Sequence, residues 1–300
     1  MDKIHILVAV PFLKEVHLAR IAAVDPGVVV HNVMAELQAE LGITVPSVLP
    51  AGNKAEVKAR PGEASARLDK ILAHTGVILS FRVPLHVTSR APHLKWIQTI
   101  GAGIDHVVKN TDVLKSDVMV TNASGVNSSS VAEYVIYLML MLAKRAPRLF
   151  ANNGVRRWER LPTLEMEGRT LGIVGLGRTG SKVARLGRAL GMKVLATRRS
   201  AAGRQKDVNG VDELFPAGEL LQMLRISDFV ILTLPLTPET RGIIGEAELR
   251  AMKPTAYIIN VARGPVVQQA ALRKALKEGW IAGAGLDVFE NEPLPPDDDL

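Results

Sequence analysis

TLGIVGLGRTG, residues 170–180, decides the fold of this chain. Its first half is a continuous apolar run of strand length. Its second half is a glycine-spaced turn, Gly175-x-Gly177-x-x-Gly180, that opens a stretch with apolar residues at helical spacing. The three glycines serve different physical needs. Gly175 makes the tight turn, Gly177 lets backbone approach a pyrophosphate, and Gly180 lets helix and strand pack closely. The helix N-terminus then offers N–H groups and a positive dipole to phosphate oxygens.

The pattern continues on both sides of this loop. Strand-like runs at Thr170–Val174, Lys193–Thr197, Phe229–Leu234, Tyr257–Val261 and Ile281–Val288 alternate with helical stretches near 178–190, 217–226, 246–252 and 266–278. Apolar strands separated by helices imply a parallel sheet covered on both faces, so residues 124–300 are expected to form a doubly wound α/β (Rossmann) cofactor domain. Upstream, residues 1–123 carry shorter apolar runs at Ile4–Val10, Val28–Val33, Val77–Phe81, Trp96–Ile100 and Val118–Asn122, as expected of a smaller α/β domain. Thr44–Gly62 reads as a long surface loop. Residues 127–145 read as a helix entered through an Asn-Ser-Ser-Ser cap, Pro147 disfavours its continuation, and residues 148–168 read as irregular.

The end of the second cofactor strand addresses which dinucleotide is bound. NAD sites commonly place an Asp or Glu about 20 residues beyond the glycine loop to bind the ribose 2′-hydroxyl. Here the strand ends in Thr197-Arg198-Arg199-Ser200, and two guanidinium groups stand where a 2′-phosphate would lie. From Arg178 to Lys206 there are nine Lys or Arg and no Asp or Glu, more positive charge than the net +7 of all 300 residues. This favours NADP(H), with NAD possible; part of Lys182, Arg185 and Arg188 is expected to be solvated helix surface.

Composition excludes other classes. The absence of cysteine rules out a disulfide scaffold, a thiol nucleophile and any cysteine-ligated metal, and no metal site is expected. The longest apolar run, Tyr134–Ala143, has ten residues, about half a membrane span. The first residues, MDKIHILVAV, read as a strand rather than a signal segment, so a cytoplasmic protein is expected. Direct nucleic-acid binding would need basic residues outside the cofactor pocket and is not expected.

Beyond the glycine loop, LKWIQTIGAGIDHV (94–107), NASGVNSSSVAEYV (122–135), LPLTPETRGII (234–244), INVARGPVV (259–267) and AGAGLDVFENEPLP (282–295) carry a joint resemblance to the D-isomer-specific 2-hydroxyacid dehydrogenases, in family order over about two thirds of the chain. The resemblance implies a flavodoxin-like substrate domain beside the cofactor domain. It also implies hydride transfer between NAD(P)H and a small 2-oxo acid, with glyoxylate or hydroxypyruvate the first expectation. Backbone amides of Gly101, Ala102 and Gly103 would hold the substrate carboxylate, with Asp105 bracing the turn. Arg263 resembles the catalytic arginine that binds carboxylate and carbonyl oxygen. Asp287 would contact the nicotinamide carboxamide, and Val261 and Ala262 would line its pocket. Leu234 and Pro235 would flank the adenosine, and Arg178 and Thr179 would meet the pyrophosphate through their N–H groups. Glu292 resembles the glutamate that pairs with a catalytic histidine and raises its pKa; Glu290 is set aside because Pro-Leu-Pro follows Glu292. A homodimer formed through helix 127–145 and the arm around Trp158 is also implied.

The chain departs from the family at that histidine. All seven histidines lie between His5 and His106, and the family pattern places the expected one beyond Leu300. The expectation is a chain cut short before its general acid, binding cofactor but turning over poorly, with His106 a weak substitute. The rival reading is a non-catalytic dinucleotide sensor resembling transcriptional corepressors.

Overall fold

The computed structural model describes residues 3–42, 61–108 and 111–300, which divide into two compact units, residues 1–124 and 125–300. Unit one runs β1 (Ile4–Ala9), α1 (Glu15–Ala22), β2 (Val28–Asn32), α2 (Met34–Leu41), α3 (Pro61–Leu72), β3 (Thr75–Ser80), α4 (Val87–Arg90), β4 (Trp96–Thr99), α5 (Asp105–Val108), α6 (Thr111–Leu114) and β5 (Met119–Thr121). Its five strands are all parallel, in the order β2-β1-β3-β4-β5. That is the flavodoxin-like order expected. Leu7 packs on one sheet face with Leu37, Leu68, Leu72, Ile78 and Ile97, and Val8 packs on the other with Val10 and Leu18. Burying successive residues on opposite faces is what makes the strand read as an unbroken apolar run. Most of the loop expected at Thr44–Gly62 lies outside the described residues. Its last two residues already belong to α3, where Pro61 suits a first helical position because no N–H is needed there.

Unit two runs α7 (Ser128–Ala143), α8 (Ala146–Gly154), β6 (Thr170–Val174), α9 (Arg178–Ala189), β7 (Lys193–Arg198), β8 (Gln205–Val208), β9 (Val211–Pro216), α10 (Leu220–Ile226), β10 (Phe229–Leu232), α11 (Glu246–Ala251), β11 (Tyr257–Asn260), α12 (Gln269–Glu278) and β12 (Gly283–Leu286). Its sheet order is β12-β11-β10-β6-β7-β9-β8. Six strands are parallel in the doubly wound order, and β8 adds an antiparallel edge to β9. Leu171, Ile173, Phe229, Ile231 and Ile259 fill one side of the sheet, and Val230, Leu232 and Ile258 the other. Each such fully buried side chain contributes about 1.5–3 kcal/mol.

Four local expectations are corrected. Residues 148–168 are not all irregular, because α8 occupies Ala146–Gly154 with Pro147 in its first turn, the one helical position that tolerates proline. Arg145, at φ 56°, makes the break between α7 and α8. Asn127 precedes α7 without a side-chain cap; Ser128 Oγ lies 3.1 Å from Thr179 Oγ1, and Lys182 Nζ donates to Ser129 Oγ at 2.6 Å, so the serines bind α9. The β8–β9 hairpin was not expected, although Asn209-Gly210, both at positive φ, is the turn that joins its strands. The last strand is shorter than Ile281–Val288, which leaves Asp287 beyond its end.

Candidate functional site

The order reversal in the unit-two sheet falls between β6 and β10, and ligands of such sheets bind outside the carboxyl ends of the strands at that point. The three motif glycines do three different things there. Gly175 has φ +99°, and a Cβ on it would come within 2.9 Å of Leu234 Cβ. Thr233 Oγ1 donates to the Gly175 carbonyl at 2.8 Å, tying the loop after β6 to the end of β10. A Cβ on Gly180 would come within 2.6 Å of that same carbonyl, so helix α9 sits against the turn only because residue 180 has no side chain. Gly177, by contrast, would meet nothing within 4 Å: its face is open space.

That space is a cleft of about 330 Å³ lined by Leu176, Gly177, Arg178, Ser181, Arg198 and Asn209. Among the described residues, no carboxylate lines it. Gly177 also stands at the N-cap of α9, where it supplies no side chain to the first amides of the helix, including that of Thr179. A phosphorylated dinucleotide fits this set: backbone open to close approach, a helix N-terminus, and arginines on the rim. The Arg178 side chain lies over Gly125, whose Cβ would fall 2.5 Å from Arg178 Cδ.

The rest of the basic block is sorted by its partners. Arg204 is held by Glu213 and Glu219 and lies over the Phe215 ring, 4.4 Å from its centroid. Arg188 reaches Asp212 at 3.7 Å. These two brace the sheet edge. Arg199 is exposed and is not among the cleft-lining residues; its charge helps lower the pKa of Glu239, after the Thr237 side chain and the backbone. Of the two expected 2′-phosphate arginines, the cleft therefore contains Arg198.

Leu234 is buried against Gly175, and the Pro235 carbonyl accepts from Thr240 Oγ1 at 2.7 Å. Past β11 the chain turns through Val261-Ala262-Arg263. The buried Asn260 side chain holds this turn, accepting from Ala262 N–H at 3.0 Å and donating to the Arg263 carbonyl at 3.0 Å. Arg263 Nη1 donates to the Ala262 carbonyl at 2.7 Å, and its side chain is half-buried. Val261 is half-buried on the core and Ala262 is buried.

Gly264, the next residue, lies against the segment that follows β12: a Cβ there would fall 1.9 Å from the Phe289 carbonyl carbon. The Asp287 amide donates to the Asn260 carbonyl at 3.0 Å, so the Arg263 turn and the Asp287 segment share one anchor residue. The Asp287 carboxylate reaches solvent, but partial desolvation first and the Glu292 charge second raise its pKa. Glu292 Oε1 accepts from the Phe289 amide at 3.0 Å. Glu290 exchanges two hydrogen bonds with Gln269 at the start of α12, a structural tether.

Gly101, Ala102 and Gly103 lie in unit one, just past the end of β4. The Gly101 carbonyl accepts from Ala123 N–H at 3.1 Å, and the Ala102 carbonyl accepts from Asn122 Nδ2 at 2.8 Å. The loop is thus held through its carbonyls. Phe81 packs on it, 3.4 Å from where a Gly101 Cβ would lie. Sequence reasoning missed Asn260, Thr233 and Asn209. Asn209 carried a signal in its Asn-Gly dipeptide; the other two are single polar residues at strand ends, with nothing local to mark them.

Comparison with known proteins agrees with this geometry. Residues 136–300 match the family model described as D-isomer specific 2-hydroxyacid dehydrogenase, NAD binding domain. A glyoxylate reductase of Korarchaeum cryptofilum is 42% identical over 235 residues, covering 74% of this chain and 68% of the relative. Among solved structures, a D-isomer specific 2-hydroxyacid dehydrogenase family protein from Aeromonas salmonicida superposes with TM-score 0.77 at 27% identity, over 100% of this chain and 86% of that one. An NADPH-dependent glyoxylate/hydroxypyruvate reductase from Sinorhizobium meliloti, solved with NADP and sulfate, gives TM-score 0.73 at 27% identity, over 99% and 84%. The corepressor-like alternative is not favoured. The glycine loop at the sheet's switch point, the anchored Arg263 turn and these matches have one common reading: the chain belongs to the D-isomer specific 2-hydroxyacid dehydrogenase family.

Proposed function

We propose that the chain is an NADP(H)-preferring reductase of small 2-oxo acids, with glyoxylate and hydroxypyruvate first among them. The observation that carries the cofactor preference is Arg198, on the same cleft as Gly177 and Arg178, with no carboxylate lining it. A 2′-phosphate gains charge-assisted hydrogen bonds from such a guanidinium, whereas a ribose hydroxyl would need the missing acid. The substrate assignment draws on the glyoxylate reductase relatives.

When bound, the reduced nicotinamide supplies the hydride. The chain's own residues bind and orient the reactants. The α9 N-terminus and Gly177 receive the pyrophosphate, Leu234 and Pro235 flank the adenosine, and Val261 and Ala262 line the nicotinamide pocket. Asp287 accepts from the carboxamide. Arg263 orients the 2-oxo acid, its planar fork suited to a carboxylate and the adjacent carbonyl oxygen. The amides of Gly101, Ala102 and Gly103 are assigned to the substrate carboxylate. Glu292 is assigned as the carboxylate that would hold a proton-donating imidazole in its charged form; the chain's own seven histidines all lie between His5 and His106.

Initial rates on a panel of 2-oxo acids with NADPH and with NADH test this reading. The expected result is slow turnover of short 2-oxo acids with at least a tenfold advantage for NADPH, about the worth of one charge-assisted bond. A tenfold preference for NADH refutes the role of Arg198.

We further infer a cytoplasmic homodimer. Tyr137, Phe150 and Trp158 are 54%, 67% and 86% exposed along α7, α8 and the following arm, an apolar surface of the kind a second copy covers. No described helix is long and apolar enough to cross a membrane. Sedimentation of the chain and of Trp158→Glu tests the dimer; an unchanged mass for both would overturn this surface.

A further inference from the structure

Gly125 is the first residue of unit two and has φ +93°, a backbone conformation that side chains other than hydrogen rarely allow. Its open face is occupied by one side chain. A Cβ there would fall 2.5 Å from Cδ, 2.8 Å from Nη1 and 3.4 Å from Nε of Arg178, so the far half of that arginine lies directly on the glycine. Arg178 opens α9 and lines the cofactor cleft, and it is exposed, so a ligand can reach it.

The contact belongs to a fixed joint between two helix starts. The Gly125 carbonyl accepts from Ser128 N–H at 3.2 Å, which sets the turn into α7. The buried Ser128 then meets Thr179, and Lys182 Nζ reaches Ser129 Oγ at 2.6 Å. One turn further in, Ala132 and Val183 share a buried core. The start of α7 thus fastens the start of α9 at successive points, and Gly125 under Arg178 is the outermost. Side chains of a helix lean toward its N-terminus, so Arg178 leans toward the free amides of α9. Arg198 comes to the same cleft from the end of β7 and does not depend on Gly125.

We propose that Gly125 is a positioning residue for the dinucleotide pyrophosphate: its bare backbone seats the Arg178 side chain and holds the guanidinium at the α9 N-terminus before the ligand arrives. Ordering an arginine on binding costs rotamer entropy, and a side chain already seated spares the ligand that cost. The inference rests on this cleft being the dinucleotide site. It does not rest on which dinucleotide binds, since NADPH and NADH share the pyrophosphate. A methyl group at position 125 meets the far end of a flexible side chain, so what it displaces is the arginine.

Dissociation constants for NADPH, NADH and adenosine 2′-phosphate, which has no pyrophosphate, test this. Gly125→Ala should weaken both dinucleotides by about three- to tenfold and leave adenosine 2′-phosphate within about twofold. Gly125→Asn, a residue more at ease at positive φ, should do the same and serves if the alanine variant does not fold. Arg178→Ala should weaken both dinucleotides by about tenfold or more, and adding Gly125→Ala to it should weaken them no further, because the glycine acts through the arginine. Gly168→Ala carries a similar φ of +73° with nothing within 4 Å, and should leave all three probes unchanged. The inference is overturned if Gly125→Ala weakens the dinucleotides as much without the Arg178 side chain as with it. It is overturned equally by a loss shared with adenosine 2′-phosphate, by a loss confined to NADPH, or by a matching loss in Gly168→Ala. If Arg178→Ala leaves both dinucleotides bound as before, the reading of the cleft at Arg178 falls and this inference with it. If Arg178→Ala weakens them and Gly125→Ala does not, that reading stands and only the positioning role falls.

Discussion

Replacing Gly264 by alanine puts a methyl group where the Phe289–Glu290 peptide already lies. The new carbon would sit 1.9 Å from the Phe289 carbonyl carbon and oxygen and 2.4 Å from the Glu290 nitrogen. Non-bonded carbons settle near 3.5–4.0 Å, so the peptide must retreat by about 1.5–2 Å. That retreat separates Glu290 from Gln269 and breaks the pair of bonds between them, 2.9 and 3.1 Å long. Two hydrogen bonds at about 1 kcal/mol each and an overpacking cost of about 1–3 kcal/mol give a destabilisation of roughly 3–5 kcal/mol. The same movement carries Asp287 and Glu292 away from the Arg263 turn, since Gly264 directly follows that arginine. Urea unfolding followed by circular dichroism should show the midpoint falling by about 1 M or more, with NADPH affinity at 5 °C reduced by roughly tenfold at the same time. A midpoint within about 0.2 M of the parent would refute the packing argument, because no flexible side chain is present to absorb the methyl group.

Arg198→Ala should lower NADPH affinity by about ten- to a hundredfold and leave NADH within about twofold, measured by fluorescence titration. Arg204→Ala, which removes the braces to Glu213 and Glu219, should lower thermal stability without moving that selectivity. Asp287 has a raised pKa, so its ionised form opposes folding; that cost is absent below the ordinary carboxylate pKa and sets in as pH rises from there through the folded value. Asp287→Asn should therefore be more stable than the parent at pH 7 and equal to it near pH 3, judged by the urea midpoint at each pH. Gly101→Ala places a methyl at 3.4 Å from Phe81, an ordinary contact, so the melting temperature should hold while KM for glyoxylate rises.

The features readable from sequence are the ones whose cause is local. The β6–α9 loop announces itself because the turn, the ligand approach and the helix packing each demand a glycine at a fixed offset. Strand-length apolar runs such as Leu171–Val174 reveal burial on both faces. Contacts made across the fold are different. The serines that open α7 look like a cap in sequence, and only the neighbouring α9 turns Ser128 toward Thr179. Arg198 and Arg199 are alike as letters; the end of β7 turns one into the cleft and leaves the other facing Glu239. Glu290 and Glu292 are told apart in sequence only by the Pro-Leu-Pro that follows the second; the bonds between Gln269 and the first are made across the fold. The β8–β9 hairpin is a missed local signal: its Asn-Gly turn stands in the sequence, within a stretch otherwise dominated by charge.

That hairpin has a consequence for how the chain behaves in a crowded solution. Were β9 the last strand, its unpaired N–H and C=O groups would invite another chain to add to the sheet. Strand β8 takes that place with only four residues, and Lys206 and Asp207 make it a poor template. Asp207 and Asn209 at positive φ bend the edge further from flatness. Because Asn209 also borders the Arg198 cleft, the guard against aggregation and one wall of the cofactor cleft are the same two-stranded ribbon. Changes of length or sequence at this turn would therefore be felt in solubility and in cofactor choice together, with the central strands untouched.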